Sequence, residues 1–364
     1  MSATEAAVLE LPGLETKAAP LLETIEPDDK SRLILGIETS CDETAVAVLR
    51  GEREVLSNVI SSSAPLHEKY GGIVPDIASR AHVQAINPAI EEALSRADAT
   101  LWDLSAIAVT SGPGLIGCLV VGVAAAKALA SVLEVPLIGV NHLEAHIYAN
   151  FLENPDFAPP AVGLIVSGGH TLLIKMHDHG LYEIIGQTLD DAAGEAFDKI
   201  SRYLGLGFPG GPAIEQSAKK GDPKAINFPR AMSKEGYNFS FSGPKTAVLT
   251  YINKLKAQGK TPDIPDLCAS FQEAVIEVQV TKTIRAARNF GIKTVFVSGG
   301  VAANARLREL LLEECTKIGA KLFHPAPIYC TDNAAMVACC GAHRSKRGIR
   351  GAIDIAADPN LPLA

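Results

Sequence analysis

One order of elements occurs twice in this chain, and it limits the possible folds more than any single motif. Three β-rich runs, at 33–39, 44–49 and 55–61, are separated by breaks too short for a helix, which predicts an antiparallel meander. A helical pattern follows over 77–97, then an apolar strand at 106–110 ending in Ser111-Gly112-Pro113-Gly114, a long Ala/Val/Leu helix and a strand at 137–140. The same order then restarts. Runs at 162–166, 171–176 and 182–187 form a second meander, followed by a helix over 192–204 and a strand at 294–297. That strand ends in Ser298-Gly299-Gly300, echoing Ser167-Gly168-Gly169. The repetition predicts an α/β protein of two related lobes facing one another across a cleft. At about 150 residues per domain, 364 residues supply chain for both.

Charge and apolar content narrow the classes further. Apolar residues make up 47% of the chain and charged residues 20%, which excludes wholesale disorder. The net charge is -8, and seven acids against two bases in the first thirty residues carry -5 of it. Residues 1–31, punctuated by Pro12, Pro20 and Pro27, read as a disordered acidic tail without the pattern of a secretory or transit peptide. Net acidity argues against non-specific coating of nucleic acid and leaves room for a local basic groove. The stretch 115–135 comes nearest to a membrane span but carries Lys127 and glycines, so it reads as a buried helix. Seven cysteines without a CxxC pair read as reduced thiols in a cytoplasmic protein.

Four small-polar or glycine-rich loops close strands: 38–44, 111–114, 167–170 and 298–300. Such loops let backbone NH groups approach an anion and favour a phosphate-bearing ligand. No GxxxxGK[ST] run occurs, and P-loop and Rossmann readings lose ground. His142 and His146, spaced i, i+4 in a helical segment, share one helix face and are candidate ligands of a single metal. Glu144 lies about 200° around that helix from the first histidine, so the zincin arrangement of base beside metal is disfavoured. Asp332, before an Ala-rich helical run, is a candidate third ligand projecting from the first turn or, alternatively, an N-cap. Asp191, Glu195 and Asp198 lie near one face of a short stretch that suits ribose hydroxyls, a metal or only the helix dipole. Basic residues cluster over 219–260, at Lys282, Arg285, Arg288 and Lys293, and at Arg344, Lys346, Arg347 and Arg350, where a subset could meet RNA phosphates.

Taken together, ETSCDET (38–44), HEKYGGIVPDIASRAH (67–82), GPGLIG (112–117), NHLEAH (141–146), VSGGHT (166–171), DDAAGEAFDK (190–199), FPGGP (208–212), FSFSG (239–243), SGGVAAN (298–304) and CTDNAAM (330–336) closely resemble the bacterial TsaD family of tRNA adenosine threonylcarbamoyltransferases. The resemblance runs from about Leu33 to the C-terminus. It implies two duplicated ribonuclease-H-like lobes of the actin-like, sugar-kinase-like ATPase fold, one comprising 32–140 with 331–364 and the other 141–330. It implies transfer of threonylcarbamoyl from threonylcarbamoyl-AMP to N6 of the adenosine beside the anticodon in tRNAs reading codons that begin with A. His142, His146 and Asp332 match the family's metal ligands, holding one divalent ion per subunit, iron in preference to zinc. Ile165, Val166, Ser167, Gly168, Gly169, Asp198, Gly211, Glu215 and Asn304 match its nucleotide and substrate contacts, and ATP or ADP is a further ligand of the fold. A paralogous TsaB-type partner and a TsaE-type ATPase complete the implied set, with no membrane and no assigned general base. A small-molecule kinase or a pseudo-ATPase scaffold of the same superfamily is the competing reading.

Overall fold

The computed structural model describes residues 32–67, 70, 72–349 and 353–363; the acidic tail lies outside the described residues. The first sheet opens with β1 (Leu33–Glu38), β2 (Glu43–Arg50) and β3 (Glu54–Ser62). After α1 (Ala64–His67) and α2 (Pro75–Arg96) it gains β4 (Leu104–Gly112) and, beyond α3 (Ile116–Leu133), β5 (Leu137–Asn141). Helix α4 (His142–Glu153) leads into the second sheet, β6 (Ala161–Val166), β7 (Thr171–Asp178) and β8 (Leu181–Gln187). Four helices follow: α5 (Ala193–Leu204), α6 (Gly210–Ala218), α7 (Ser242–Ala257) and α8 (Ile264–Phe290). Then come β9 (Thr294–Ser298), α9 (Ala305–Lys317), β10 (Lys321–Phe323), α10 (Pro327–Cys330) and α11 (Ala334–Lys346).

The sheets have the same strand order, β3-β2-β1-β4-β5 and β8-β7-β6-β9-β10. In each, the first three strands form the antiparallel meander and the last two run parallel to the first. The two meanders anticipated from the pattern are therefore present, in equivalent places. β10, only three residues long, had no apolar run long enough to signal a strand. GPGLIG, between β4 and α3, has the G-x-G-x-x-G spacing, but the antiparallel hairpin beside β1 gives a mixed sheet rather than a Rossmann one. Its Gly114 serves close approach: a Cβ there would stand 2.6 Å from the Ser40 carbonyl oxygen.

Alternation along β1 explains the layering. Leu35 and Ile37 point into a core shared with α2 and α3, whereas Ile34 joins a core with α4, α11 and the second sheet. That central core takes Ile165, Leu172, Ile174 and Phe296 from the second sheet, whose opposite face packs on α5 to α9. Helices α4 and α11 pack on each other between the sheets, α4 against β6 and β9 and α11 against the first sheet. Each thus follows the last strand of one sheet and covers the other.

Helix α3 departs from the expectation of a buried helix. Its length and composition would suffice to cross a membrane, yet it packs one face on β4 and α2. Ile116, Val120 and Val132 are at least half exposed, as is Val83 of the neighbouring α2.

Candidate metal centre and substrate cleft

The histidine pair is set by a helix cap. Asn141, the last residue of β5, accepts the backbone NH groups of Leu143 and Glu144 at 2.9 and 3.2 Å and so starts α4 at His142. His146 lies one turn on, and the two ring centroids are 4.7 Å apart. Asp332 arrives from between α10 and α11. The cap of α11 is Asn333, whose side chain accepts the Met336 NH at 3.0 Å, so Asp332 stands just outside the helix with its carboxylate spared from capping. Asp332 Oδ1 is 3.2 Å from His146 Nε2 and 3.7 Å from His142 Nε2. Ligand atoms of the three residues lie within 4.8 Å of one another, the one such group among the described residues.

The surroundings orient this trio. Glu38, fully buried at the end of β1, places Oε2 3.1 Å from His142 Nδ1 and accepts the Thr110 hydroxyl at 2.6 Å and the Ser40 NH at 2.6 Å. With His142 Nδ1 so engaged, Nε2 faces Asp332. Burial opposes charge on His142, but the Glu38 and Asp332 carboxylates outweigh it and raise its pKa to about 9. Burial likewise opposes ionisation of Asp332, and the His142 and His146 rings outweigh it, lowering the carboxyl to about 2. Glu43 is pushed up to about 9 by burial and then by Asp332. His170 is pulled down to about 4 by burial and by the same two imidazoles.

Both nitrogens of buried His146 lack a hydrogen-bond partner, the 3.2 Å approach to Asp332 being poorly aligned for one. Orphaned buried imidazole nitrogens cost roughly 1–3 kcal/mol each unless something satisfies them. Two imidazoles and one carboxylate, with one ring oriented by an outer carboxylate, fit a divalent transition metal.

Ile165 and Val166 end β6, and the turn after them is held by Ser167 NH donating to the His170 carbonyl at 2.8 Å and His170 NH donating to Ser167 Oγ at 3.1 Å. Gly168 and Gly169 face open space. At the start of α5, a Cβ on Gly194 would stand 2.6 Å from the Ser167 carbonyl oxygen, which instead accepts the Gly194 NH at 3.2 Å. Asp198 accepts the Gly210 NH at 2.6 Å, next to open Gly211. Glu215 accepts the Ala305 NH at 3.0 Å, while Asn304 caps α9 and donates to Gln272 at 2.8 Å. Glu215, Gln272 and Ala305 line a cavity of about 470 Å³. The structure thus joins Glu215 to Asn304 through Ala305, and brings the 165–169 turn to the metal trio through His170.

Other sequence candidates separate. Asp191 pairs with Lys199 and Lys245, Glu195 pairs with the same Lys199, and Asp190 ties down residues 240–242. Lys282 is buried, its ammonium donating to the carbonyls of Glu235 and Asn238, and Arg344 and Lys346 pair with Glu144 and Glu52. Those three are removed from the basic residues open to RNA. Glu38 and His170 were the residues not singled out by pattern, although both lie in the small-polar loops that the pattern marked.

The chain matches the TsaD family, tRNA N6-adenosine threonylcarbamoyltransferase, over residues 54–339. This chain belongs to the TsaD family. It is 54% identical over 334 residues to the tRNA N6-adenosine threonylcarbamoyltransferase of Symbiobacterium thermophilum, covering 91% of this chain and 97% of that one. The enzyme of the same name from Clostridium perfringens strain SM101 is 51% identical over 333 residues, with 91% and 98% covered. Among solved structures, T. kodakarensis HypF superposes with a TM-score of 0.59 at 16% identity, over 89% of this chain and 48% of that chain. The activator of 2-hydroxyisocaproyl-CoA dehydratase from Clostridium difficile does so at 0.52 and 12% identity, over 87% and 96%. The chain therefore has the actin-like, sugar-kinase-like fold.

Proposed function

We propose that this chain transfers the threonylcarbamoyl group of threonylcarbamoyl-AMP to N6 of the adenosine beside the anticodon in tRNAs reading codons that begin with A, releasing AMP. The observation that carries this reading is the convergence of His142, His146 and Asp332, with two orphaned imidazole nitrogens, beside the open Gly168-Gly169 turn in a chain of this family. The lobes are 32–140 with 331–364 and 141–330, and the reaction takes place in the cytoplasm with a TsaB-type paralogue and a TsaE-type ATPase as partners. ATP or ADP shares the nucleotide cleft.

Adenine N6 is a weak nucleophile because its lone pair is delocalised into the ring, whereas the donor is an activated mixed anhydride. The N6 lone pair forms the new C–N bond at the carbamoyl carbon, the C–O bond to phosphate breaks, its electrons leave with AMP, and the proton lost by N6 passes to solvent water. Positioning is then the enzyme's main task. Ser167 NH is spent within the turn, so the NH groups of Gly168 and Gly169 are the donors left for the AMP phosphate. His170, held neutral, adds no positive charge to the trio. Asp198, Gly211, Glu215 and Asn304 bound the nucleoside end. His142, His146 and Asp332 would hold a divalent ion, iron in preference to zinc, which would supply Lewis-acid charge when bound.

Nucleoside mass spectrometry on a reaction with partner proteins, threonylcarbamoyl-AMP and tRNA tests the reading. The wild type gives threonylcarbamoyladenosine, and His146→Ala lowers the rate roughly 100-fold or more, as loss of several kcal/mol of charge stabilisation requires. Equal product from both would remove the metal from the mechanism. No product from either, beside a working control enzyme, would overturn the transfer itself.

A further inference from the structure

Glu144 sits between the two candidate metal ligands in NHLEAH and points away from them. Its carboxylate is nearly buried. Oε2 accepts Nη1 of Arg344 at 2.6 Å, and Oε1 accepts the Tyr182 hydroxyl at 3.1 Å. Arg344 lies near the far end of α11, and Asp332 lies just before its start. The ten helical rises of about 1.5 Å from Ala334 to Arg344 put roughly 15 Å of helix between the two contacts. Both ends of α11 therefore meet α4, one at the ligand trio and the other at Glu144.

We propose that the Glu144–Arg344 pair is a positioning clamp that sets Asp332 against His142 and His146. A rigid rod fixed at one end leaves its angle free; fixed at two, it has one placement. Helices α4 and α11 rest on different sheets and pack on each other, and the Glu144–Arg344 pair adds a charged tie at the end of that contact remote from Asp332. Tyr182 extends the tie to β8, which anchors Glu144 in the second sheet. The proposal rests on the metal reading of the trio.

Cobalt(II) added to the metal-stripped full-length chain tests it, through its visible absorption spectrum and a binding titration, beside a thermal melt without metal. Glu144→Gln/Arg344→Gln keeps the shape of the first side chain, shortens the second and leaves neither charge buried alone, so its apo melting temperature stays within a few degrees of the wild type. Its cobalt affinity falls about 10-fold or more, the range for outer residues that orient metal ligands, with an altered spectrum. Wild-type affinity and spectrum in the double variant would overturn the clamp, whatever its melting temperature. Should that variant fail to fold, Arg344→Lys decides: weaker cobalt binding at an unchanged melting temperature supports the clamp, and unchanged binding overturns it. His146→Ala run alongside separates the two readings, because undiminished cobalt binding there removes the ligand set and the clamp with it.

Discussion

Asp190 gathers four hydrogen bonds on one carboxylate. Ser240 and Ser242 hydroxyls donate to Oδ2 at 2.6 Å each, and the NH groups of Phe241 and Ser242 donate to Oδ1 at 2.7 and 3.3 Å. Burial pushes its carboxyl up, but these donors outweigh it and hold it below the usual range. A lowered folded value means stability that is complete above the unfolded value near 3.9 and is lost as pH falls through the lowered one. Asp190→Asn should therefore cost about 1 kcal/mol at pH 7, exposure having screened part of the gain. The gap from wild type should close as pH falls below about 4, read by urea unfolding across pH. A gap that stays constant with pH would remove the carboxylate's charge from the account. Residues with short-range partners were legible in this way: the His142–His146 spacing is a property of one helix. The pattern left Asp332 between a third ligand and an N-cap, and only the fold shows that Asn333 takes the cap and leaves the Asp332 carboxylate free of it. Glu38 and His170 acquire their roles only when the ends of β1 and β6 are brought together, which no local pattern encodes.

Among elements, α3 and α8 show opposite limits of periodicity. Helix α8 is 27 residues long and buried on nearly every side, so it lacks the polar stripe that marks an amphipathic helix. Helix α3 is apolar on every side, which read as burial, yet the fold covers one face only. An uncovered apolar face of this kind suits a protein contact, and under the proposed function the paralogous partner would be its occupant. Val83→Glu/Val120→Glu changes residues that are 62% and 50% exposed, so unfolding stability should move by no more than about 0.5 kcal/mol per site. The same variant should fail to co-elute with the TsaB-type partner in size-exclusion chromatography. Co-elution as tight as that of the wild type would place the contact elsewhere.

For the whole molecule, the repeated order of elements was readable because each meander is three consecutive short strands. The exchange of α4 and α11 between the sheets was not, because it depends on which face each helix finds after folding. That exchange gives the metal trio a consequence beyond chemistry. His142 and His146 belong to a helix resting on the second sheet, and Asp332 precedes a helix resting on the first. An ion bound by all three bridges the two layers and exists only in the folded chain, so it stabilises by mass action. At a free metal concentration 100-fold above its dissociation constant, the gain is about 2.7 kcal/mol. For a chain of this size that corresponds to a rise of about 3–4 °C in melting temperature. Chelation should reverse it, and Asp332→Ala should melt at the same temperature with and without metal. A wild-type melting temperature indifferent to metal and chelator would mean that no ion joins the two layers at this point.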